Sequence, residues 1–298
     1  MPRRFWYVSD LHLDLRPEGE QPVCWAQVLK RSDPRADDNL ILAGDVAQLN
    51  WRHYGAFLTY CAEHFRQVFV VPGNHEFYEH SWAEGYRILH AWAVPRVHVL
   101  VNRRYVLDDQ PGQKPLTILG CTLWSHIPPE AQPVCERAIS DFHSIRGYSI
   151  RQHNFFHSQD RLWLTRQLDE LCHVAPVPRL SVIEQSSVAP PLPDTTPLSD
   201  TTPLPAPLLV ITHHAPLTCG VSHPRFEASP RAPTNHAYCT DLSAIVARLP
   251  PGSAWVFGHT HHRARVQYGE VSVVTNALGY DTDQWTQPYQ LQAIEVGP

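Results

Sequence analysis

Five short apolar runs of this chain each end on a side chain able to bind a metal ion. Phe5–Val8 is followed by Ser9-Asp10-Leu11-His12, Leu40–Ala43 by Gly44-Asp45, and Val68–Val71 by Pro72-Gly73-Asn74-His75-Glu76. Leu208–Thr212 runs into His213-His214-Ala215-Pro216, and Trp255–Phe257 into Gly258-His259-Thr260-His261. Short runs rich in β-branched and aromatic residues read as buried strands. The carboxyl ends of such strands are where open α/β sheets build their sites. Singly, each is weak: a chain with 19 histidines places some beside strands by chance, and Asp45 alone reads equally as a turn or cap residue. Five such side chains in the same place relative to five strands are not explained that way.

Further strands are expected at Val97–Val101, Thr117–Leu119, Val271–Thr275 and Leu291–Val296, and helices within Trp51–Arg66, Ser81–Ala93 and His157–Cys172. In the last, Leu162, Leu164, Leu168 and Leu171 are expected to line one face, with Trp163 beside them. Alternating strands and helices indicate an α/β layer fold; the scarcity of helices among the later strands suggests a mixed sheet or two sheets. Between Pro176 and Pro207, nine of 32 residues are proline and none is glycine, with a near-repeat beginning at Asp194 and again at Asp200. Such a stretch can neither form a helix nor pair in a central strand, so it reads as a partly polyproline-II, disordered insertion that could dock a protein partner.

Composition narrows the function classes. An apolar fraction of 43% with 18% charged residues fits a globular chain. A net charge of −5, with Lys30 and Lys114 the only lysines, offers no electrostatic reason to expect nucleic-acid or anionic-membrane binding. The amino-terminal apolar run meets Asp10 too early for a secretion signal, and no window approaches the length of a membrane span. Seven scattered cysteines without a close pair favour a reducing, cytoplasmic setting.

The residue types at the strand ends specify the chemistry. Aspartates, one asparagine and several histidines form a mixed oxygen and nitrogen set suited to Mn, Fe or Zn and too nitrogen-rich for Ca or Mg. Seven ligands exceed what one tetrahedral ion takes but suit two ions sharing a carboxylate. Two ions about 3.5–4 Å apart can hold a hydroxide nucleophile and clamp the oxygens of a phosphoryl group. The segment His75-Glu76-Phe77-Tyr78-Glu79-His80 is not the zinc-protease helix motif, which needs its second histidine four residues after the first; here position 79 is Glu.

Taken in order, Asp10-Leu11-His12, Gly44-Asp45, Gly73-Asn74-His75-Glu76, His213-His214-Ala215-Pro216 and Gly258-His259-Thr260-His261 resemble the signature of calcineurin-like metallophosphoesterases. The resemblance implies a four-layer α/β/β/α sandwich of two mixed β-sheets flanked by helices. It implies one domain over residues 1–298, which the insertion at about 176–207 interrupts. It implies two divalent or mixed-valence transition-metal ions: Asp10, His12, Asp45 and His261 hold the first, and Asp45 bridges to a second completed by Asn74, His213 and His259. His75 is then the catalytic acid at the leaving group, Glu76 supports a neighbouring histidine from behind, and His214 and Asn74 are candidate substrate contacts. The residues Val46-Ala47-Gln48 lack the polar partner that orients this histidine in protein phosphatases, so the orientation of His75 is left open. Gly258 is expected to let the chain turn between the strand and the two histidines that follow.

Thr122-Leu123-Trp124, Ser140-Asp141-Phe142 with Ile145, and Asn276-Ala277-Leu278-Gly279-Tyr280 resemble segments of a small bacterial-type subgroup of that family. Arg146, Arg151, Arg225 and Arg231 are candidates to grip phosphate oxygens. The expected function is hydrolysis of a small phosphoester, by a phosphodiesterase or phosphatase, through a metal-bridging hydroxide. The alternative is a non-catalytic scaffold of the same fold working through its proline-rich insertion.

Overall fold

A computed structural model describes residues 2–16, 21–109, 111–172, 206–227, 233–280 and 288–297. Residues 176–205 of the proline-rich insertion lie outside the described residues, as does Arg231. In chain order the strands are β1 (Arg3–Val8), β2 (Asn39–Ala43), β3 (Val68–Val71), β4 (Val97–Val99), β5 (Arg103–Leu107), β6 (Leu116–Gly120), β7 (Leu208–Ile211), β8 (Ala254–Phe257), β9 (Arg263–Tyr268), β10 (Val271–Asn276) and β11 (Gln292–Val296). The helices are α1 (Gln21–Val28), α2 (Tyr54–His64), α3 (Trp82–Ala91), α4 (Gln132–Ala138), α5 (Asp141–Ser144), α6 (Ile150–Leu171), α7 (Pro224–Glu227) and α8 (Ser243–Val246).

The strands form two mixed sheets. One has the order β11-β1-β2-β3-β4, the other β5-β6-β7-β8-β10-β9. The inner pairings β1-β2-β3-β4 and β6-β7-β8-β10 are parallel, and β11, β5 and β9 add antiparallel edges. Alternate residues divide between layers because successive side chains point to opposite faces. Phe5, Tyr7, Ile41, Phe69 and Val71 meet Ile118, Leu209, Ile211 and Val256 between the sheets. The intervening Trp6, Val8, Leu40, Leu42, Val68 and Val70 pack outward with Trp25, Phe57 and Leu58 of α1 and α2. On the other side Val210, Trp255 and Phe257 pack with Leu164 and Leu168 of α6 and Val246 of α8. Strands buried on both faces must be apolar throughout, which is why they read as continuous runs rather than alternating ones. The result is the expected four-layer α/β/β/α sandwich.

Two strands, β5 and β9, were not expected: β5 has only Tyr105-Val106-Leu107 after two arginines, and β9 alternates. Their residues are mostly exposed or half-buried, and arginines at positions 103, 104, 263 and 265 mark them as edges. Helix α6 begins at Ile150, one and a half to two turns before the expected start. Its buried face is Ile150, His153, His157, Asp160, Leu164 and Leu168. Leu162, expected on that face, is 44% exposed; it lies about 200° round the helix from Leu164 and cannot share its side. The earlier turns gave little signal because Ile150 is their one apolar buried position and His153 is the other buried residue. No helix among the described residues is long and apolar enough to cross a membrane.

Candidate metal centre

The carboxyl ends of β1, β2, β3, β7 and β8 place Asp10, His12, Asp45, Asn74, His213, His259 and His261 together. The backbone there is unusual. Asp10, His12, Asp45, His259 and His261 have φ of 54°, 45°, 53°, 68° and 45°, in the left-handed region. Each such non-glycine residue costs on the order of 1–3 kcal/mol and persists only where its surroundings hold it. They are held by hydrogen bonds across the strand ends: Asp10 N–H to the Gly44 carbonyl (3.0 Å), His12 N–H to the Asp45 carbonyl (3.1 Å) and His259 N–H to Asp10 Oδ1 (3.0 Å). The turn does not use the freedom of Gly258. Its φ is not positive, and the strain falls on His259 instead. What Gly258 supplies is space, since a Cβ there would lie 2.6 Å from Ser9 Cβ and 2.7 Å from the Ala43 carbonyl oxygen.

Two groups of coordinating atoms result: Asp10, His12 and His261, and Asp45, His213 and His259, each with its atoms within 4.8 Å of one another. His12 Nε2 and His261 Nε2 are 3.1 Å apart, and His261 Nε2 is 3.6 Å from Asp10 Oδ1. In the second group His213 Nε2 lies 3.3 Å from Asp45 Oδ1 and 3.0 Å from Asn74 Oδ1. Donors about 2.0–2.1 Å from a common ion stand roughly 3.0–3.4 Å apart. Three of these four separations fall in that range, and the Asp10–His261 one is slightly longer. Asp45 turns one oxygen to each group: Oδ1 to His213, and Oδ2 to His12 at 3.8 Å.

Ring orientation supports the same reading. His213 Nδ1–H donates to the Ala43 carbonyl (2.9 Å), which leaves Nε2 as its coordinating nitrogen. His259 Nε2–H donates to the Ala237 carbonyl (3.2 Å), which leaves Nδ1. A carbonyl oxygen only accepts, so each contact fixes the tautomer. The charge balance also calls for a cation. Asp10 and Asp45 are buried, and their ion pairs are with imidazoles. Burial raises the Asp10 carboxyl and holds His12 and His259 well below the usual imidazole range. Burial opposes charge on His213 too, yet the adjoining Asp45 carboxylate pushes it up to about 10. Two carboxylates walled in by imidazoles and one amide oxygen are a donor set that a pair of divalent ions fits.

The neighbouring residues fall into place. His75 is buried, its N–H donates to Asp45 Oδ1 (2.9 Å), and its ring meets His12 edge-on at 4.7 Å. Its Nε2 is 2.9 Å from Asp14 Oδ2, the orienting partner that the sequence left open. Asp14 sits in the turn Leu13–Leu15, two residues past His12, and that spacing was its only sequence signal. Glu76 touches backbone rather than an imidazole. It accepts from the amides of Asp45 (2.9 Å), Val46 (2.8 Å) and Gly73 (2.7 Å) and from the Tyr54 hydroxyl (2.9 Å), tying the ends of β2 and β3 together. His214 is fully buried behind the centre, 4.0 Å from the His259 ring and 5.3 Å from Trp124.

The three extra segments seen in the sequence brace the centre. The Thr122 carbonyl accepts from both His213 N–H and His214 N–H, at 3.1 Å each. Leu278 N–H and Gly279 N–H donate to the carbonyls of Ser9 and Asp10, at 3.0 and 2.9 Å. Tyr280 then stacks on His12 at 4.4 Å. Asp141 accepts from Asn74 Nδ2 at 2.7 Å, and burial pushes its carboxyl up to about 6.

A cavity of about 430 Å³ opens beside Asp45, Asn74, His259 and His261. Tyr78, Phe226, Tyr238 and Tyr280 contribute rings to its wall. Arg146 is paired with Glu84 at 2.7 Å and Arg151 is exposed on α6; neither lines the cavity, and the side chain of Arg225 lies outside the described residues. His75 and His214 do not line it either. His262 belongs to neither group of coordinating atoms.

The calcineurin-like phosphoesterase family matches residues 3–263 of this sequence. The chain belongs to that family. Calcineurin-like phosphoesterases hydrolyse phosphoesters with the help of metal ions, and the two groups of coordinating atoms are where this member can hold them. A relative, the uncharacterized protein L509 of Acanthamoeba polyphaga mimivirus, is 26% identical over 293 residues, covering 93% of this chain and 91% of its own. Among solved structures, phosphopantetheinyl hydrolase (PptH) of Mycobacterium tuberculosis superposes with a TM-score of 0.62 at 20% identity, over 94% of this chain and 90% of that one. A 5'-nucleotidase precursor of Thermus thermophilus gives a TM-score of 0.41 at 14% identity, over 100% of this chain and 55% of that one.

Proposed function

We propose that this calcineurin-like phosphoesterase is a dinuclear-metal hydrolase of a small phosphoester, with Asp10, His12, Asp45 and His261 at one ion and Asp45, Asn74, His213 and His259 at the other. The observation that carries the reading is Asp45, whose two oxygens face two separate sets of imidazoles. Two divalent ions so held supply Lewis acidity, lowering the pKa of water and polarising a phosphoryl oxygen. The protein's own residues do the rest. Glu76 and the strained backbone keep Asp45 turned to both sides. Burial works against charge on His75, but the hydrogen bond to Asp14 and the neighbouring carboxylates outweigh it and raise the imidazole from its ordinary value, favouring the charged form. With Nε2 on Asp14, the buried and unpartnered Nδ1 is the nitrogen left to pass a proton toward a leaving group. The aromatic rings on the cavity wall suit a leaving group with a planar or apolar surface, such as a nucleoside.

The test is hydrolysis by metal-stripped protein reconstituted with Mn, Fe, Zn, Co or Ni. The panel comprises aryl phosphate monoesters and diesters, nucleotides, cyclic nucleotides and a phosphopantetheinyl ester. Turnover should require metal and saturate at two ions per chain. Saturation at one ion, or equal turnover by the stripped protein, would sink the dinuclear reading.

A further inference from the structure

Asp141 opens helix α5 and is buried, yet its two carboxylate oxygens are in different positions. Oδ1 accepts two hydrogen bonds, from Asn74 Nδ2 at 2.7 Å and from the Tyr78 hydroxyl at 2.9 Å. Oδ2 is buried without a partner. The Tyr78 hydroxyl also stands 3.3 Å from Asn74 Nδ2, so the three side chains close a triangle around the Asn74 amide.

An asparagine amide has almost the same shape when its oxygen and nitrogen are exchanged, but only the oxygen can bind a cation. Something must therefore choose between the two orientations. A carboxylate oxygen can only accept, so Asp141 Oδ1 favours the orientation with the NH2 group toward itself. That orientation places Asn74 Oδ1 3.0 Å from His213 Nε2, among the atoms of the second group. The flipped amide would set its oxygen against Asp141 and its NH2 group against the ion.

We propose that Asp141 is a positioning residue that orients the Asn74 amide, through Oδ1 alone, and thereby sets the affinity of the second metal position. This rests on the reading of Asn74 as a ligand of that position. Because both hydrogen bonds fall on one oxygen and the other has no partner to lose, the amide of Asp141→Asn can do the same work: its carbonyl accepts both bonds. Asp141→Ala and the volume-matched Asp141→Leu cannot.

The experiment is titration of metal-stripped full-length protein with cobalt(II), followed by visible absorption and by metal analysis after equilibrium dialysis. Retention of the first ion, held by Asp10, His12 and His261, reports that each variant is folded. Wild type should take two ions and Asn74→Ala one at comparable concentration. Asp141→Ala and Asp141→Leu should keep the first ion and bind the second about 10–100-fold more weakly. Asp141→Asn should match wild type in both affinity and cobalt spectrum. Unchanged second-ion affinity in Asp141→Ala and Asp141→Leu would overturn the proposal while leaving Asn74 a ligand, and so would an Asp141→Asn variant as weak as Asp141→Ala. Retention of the second ion by Asn74→Ala would overturn the assignment of Asn74, and the proposal with it.

Discussion

Asp14 Oδ2 lies 2.9 Å from His75 Nε2, joining the turn after β1 to the loop after β3. The two residues are 61 positions apart in the chain. A carboxylate on one ring nitrogen fixes which way the imidazole faces and favours its charged form. If His75 donates a proton to the leaving group, the benefit depends on how basic that group is. His75→Gln should then lower kcat about 10²–10⁴-fold for alkyl leaving groups and far less for 4-nitrophenol. Asp14→Asn should show the same leaving-group dependence more weakly and add little in the His75→Gln background. Steady-state kinetics over a leaving-group series, with metal content measured alongside, decide this. An equal loss for every leaving group would remove the acid role.

Asp45 serves both groups of coordinating atoms, so its loss should differ in kind from the loss of a ligand on one side. Asp45→Ala is expected to hold less than one ion per chain and to lose turnover, whereas His213→Ala should retain the ion at Asp10, His12 and His261. Metal analysis of dialysed protein distinguishes the two. An Asp45→Ala protein with full metal content and turnover would refute the bridging assignment.

Gly258 has room for no side chain. A methyl group there meets Ser9 Cβ and the Ala43 carbonyl oxygen, at 2.6 and 2.7 Å, and one of these is backbone. Gly258→Ala should lower stability by about 1–3 kcal/mol and displace His259 and His261. Chemical denaturation measures the first effect, and weakened metal binding reports the second. Wild-type values for both would show that the strand ends are more compliant than their packing implies.

Two buried histidines on α6 make stability depend on pH. Burial lowers His153 to about 3 and His157 to about 4. The unfolded chain regains ordinary imidazoles near pH 6.5, so between about pH 6.5 and 4 it binds more protons than the folded protein. Stability should therefore fall as pH drops through that window, with a slope of up to about 1.4 kcal/mol per pH unit for each group. His157 Nδ1–H donates to the Trp124 carbonyl. Asn can reproduce that donor without titrating, so His157→Asn should flatten the profile. Unfolding free energies between pH 4 and 7 give the answer, and parallel profiles for the two proteins would count against it.

Much of the fold was readable because its inner strands are buried on both faces and so appear as continuous apolar runs. Of the four edges, β4 and β11 were expected, while β5 and β9, which carry arginines and little apolar signature, escaped that reading. Helix α6 was caught without its first two turns, where His153 puts a polar group on the buried face. The metal-competent residues were visible because each follows a strand directly. Asp14 was not, and Asp141 was visible only within a segment resembling the family subgroup, without a role, because nothing local distinguishes a carboxylate that serves a distant side chain from one that caps a turn.

From its sequence alone, this protein's layer class, its family and the residue types at its strand ends were determined, because those depend on local pattern and order. Contacts between segments far apart in the chain were decided only by the tertiary structure. The family resemblance had already implied two ligand groups sharing Asp45; the pairing of His75 with Asp14 and the orientation of the Asn74 amide were not implied. The physical reason is that each joins side chains far apart in the sequence: the first through strands paired in one sheet, the second across the two sheets.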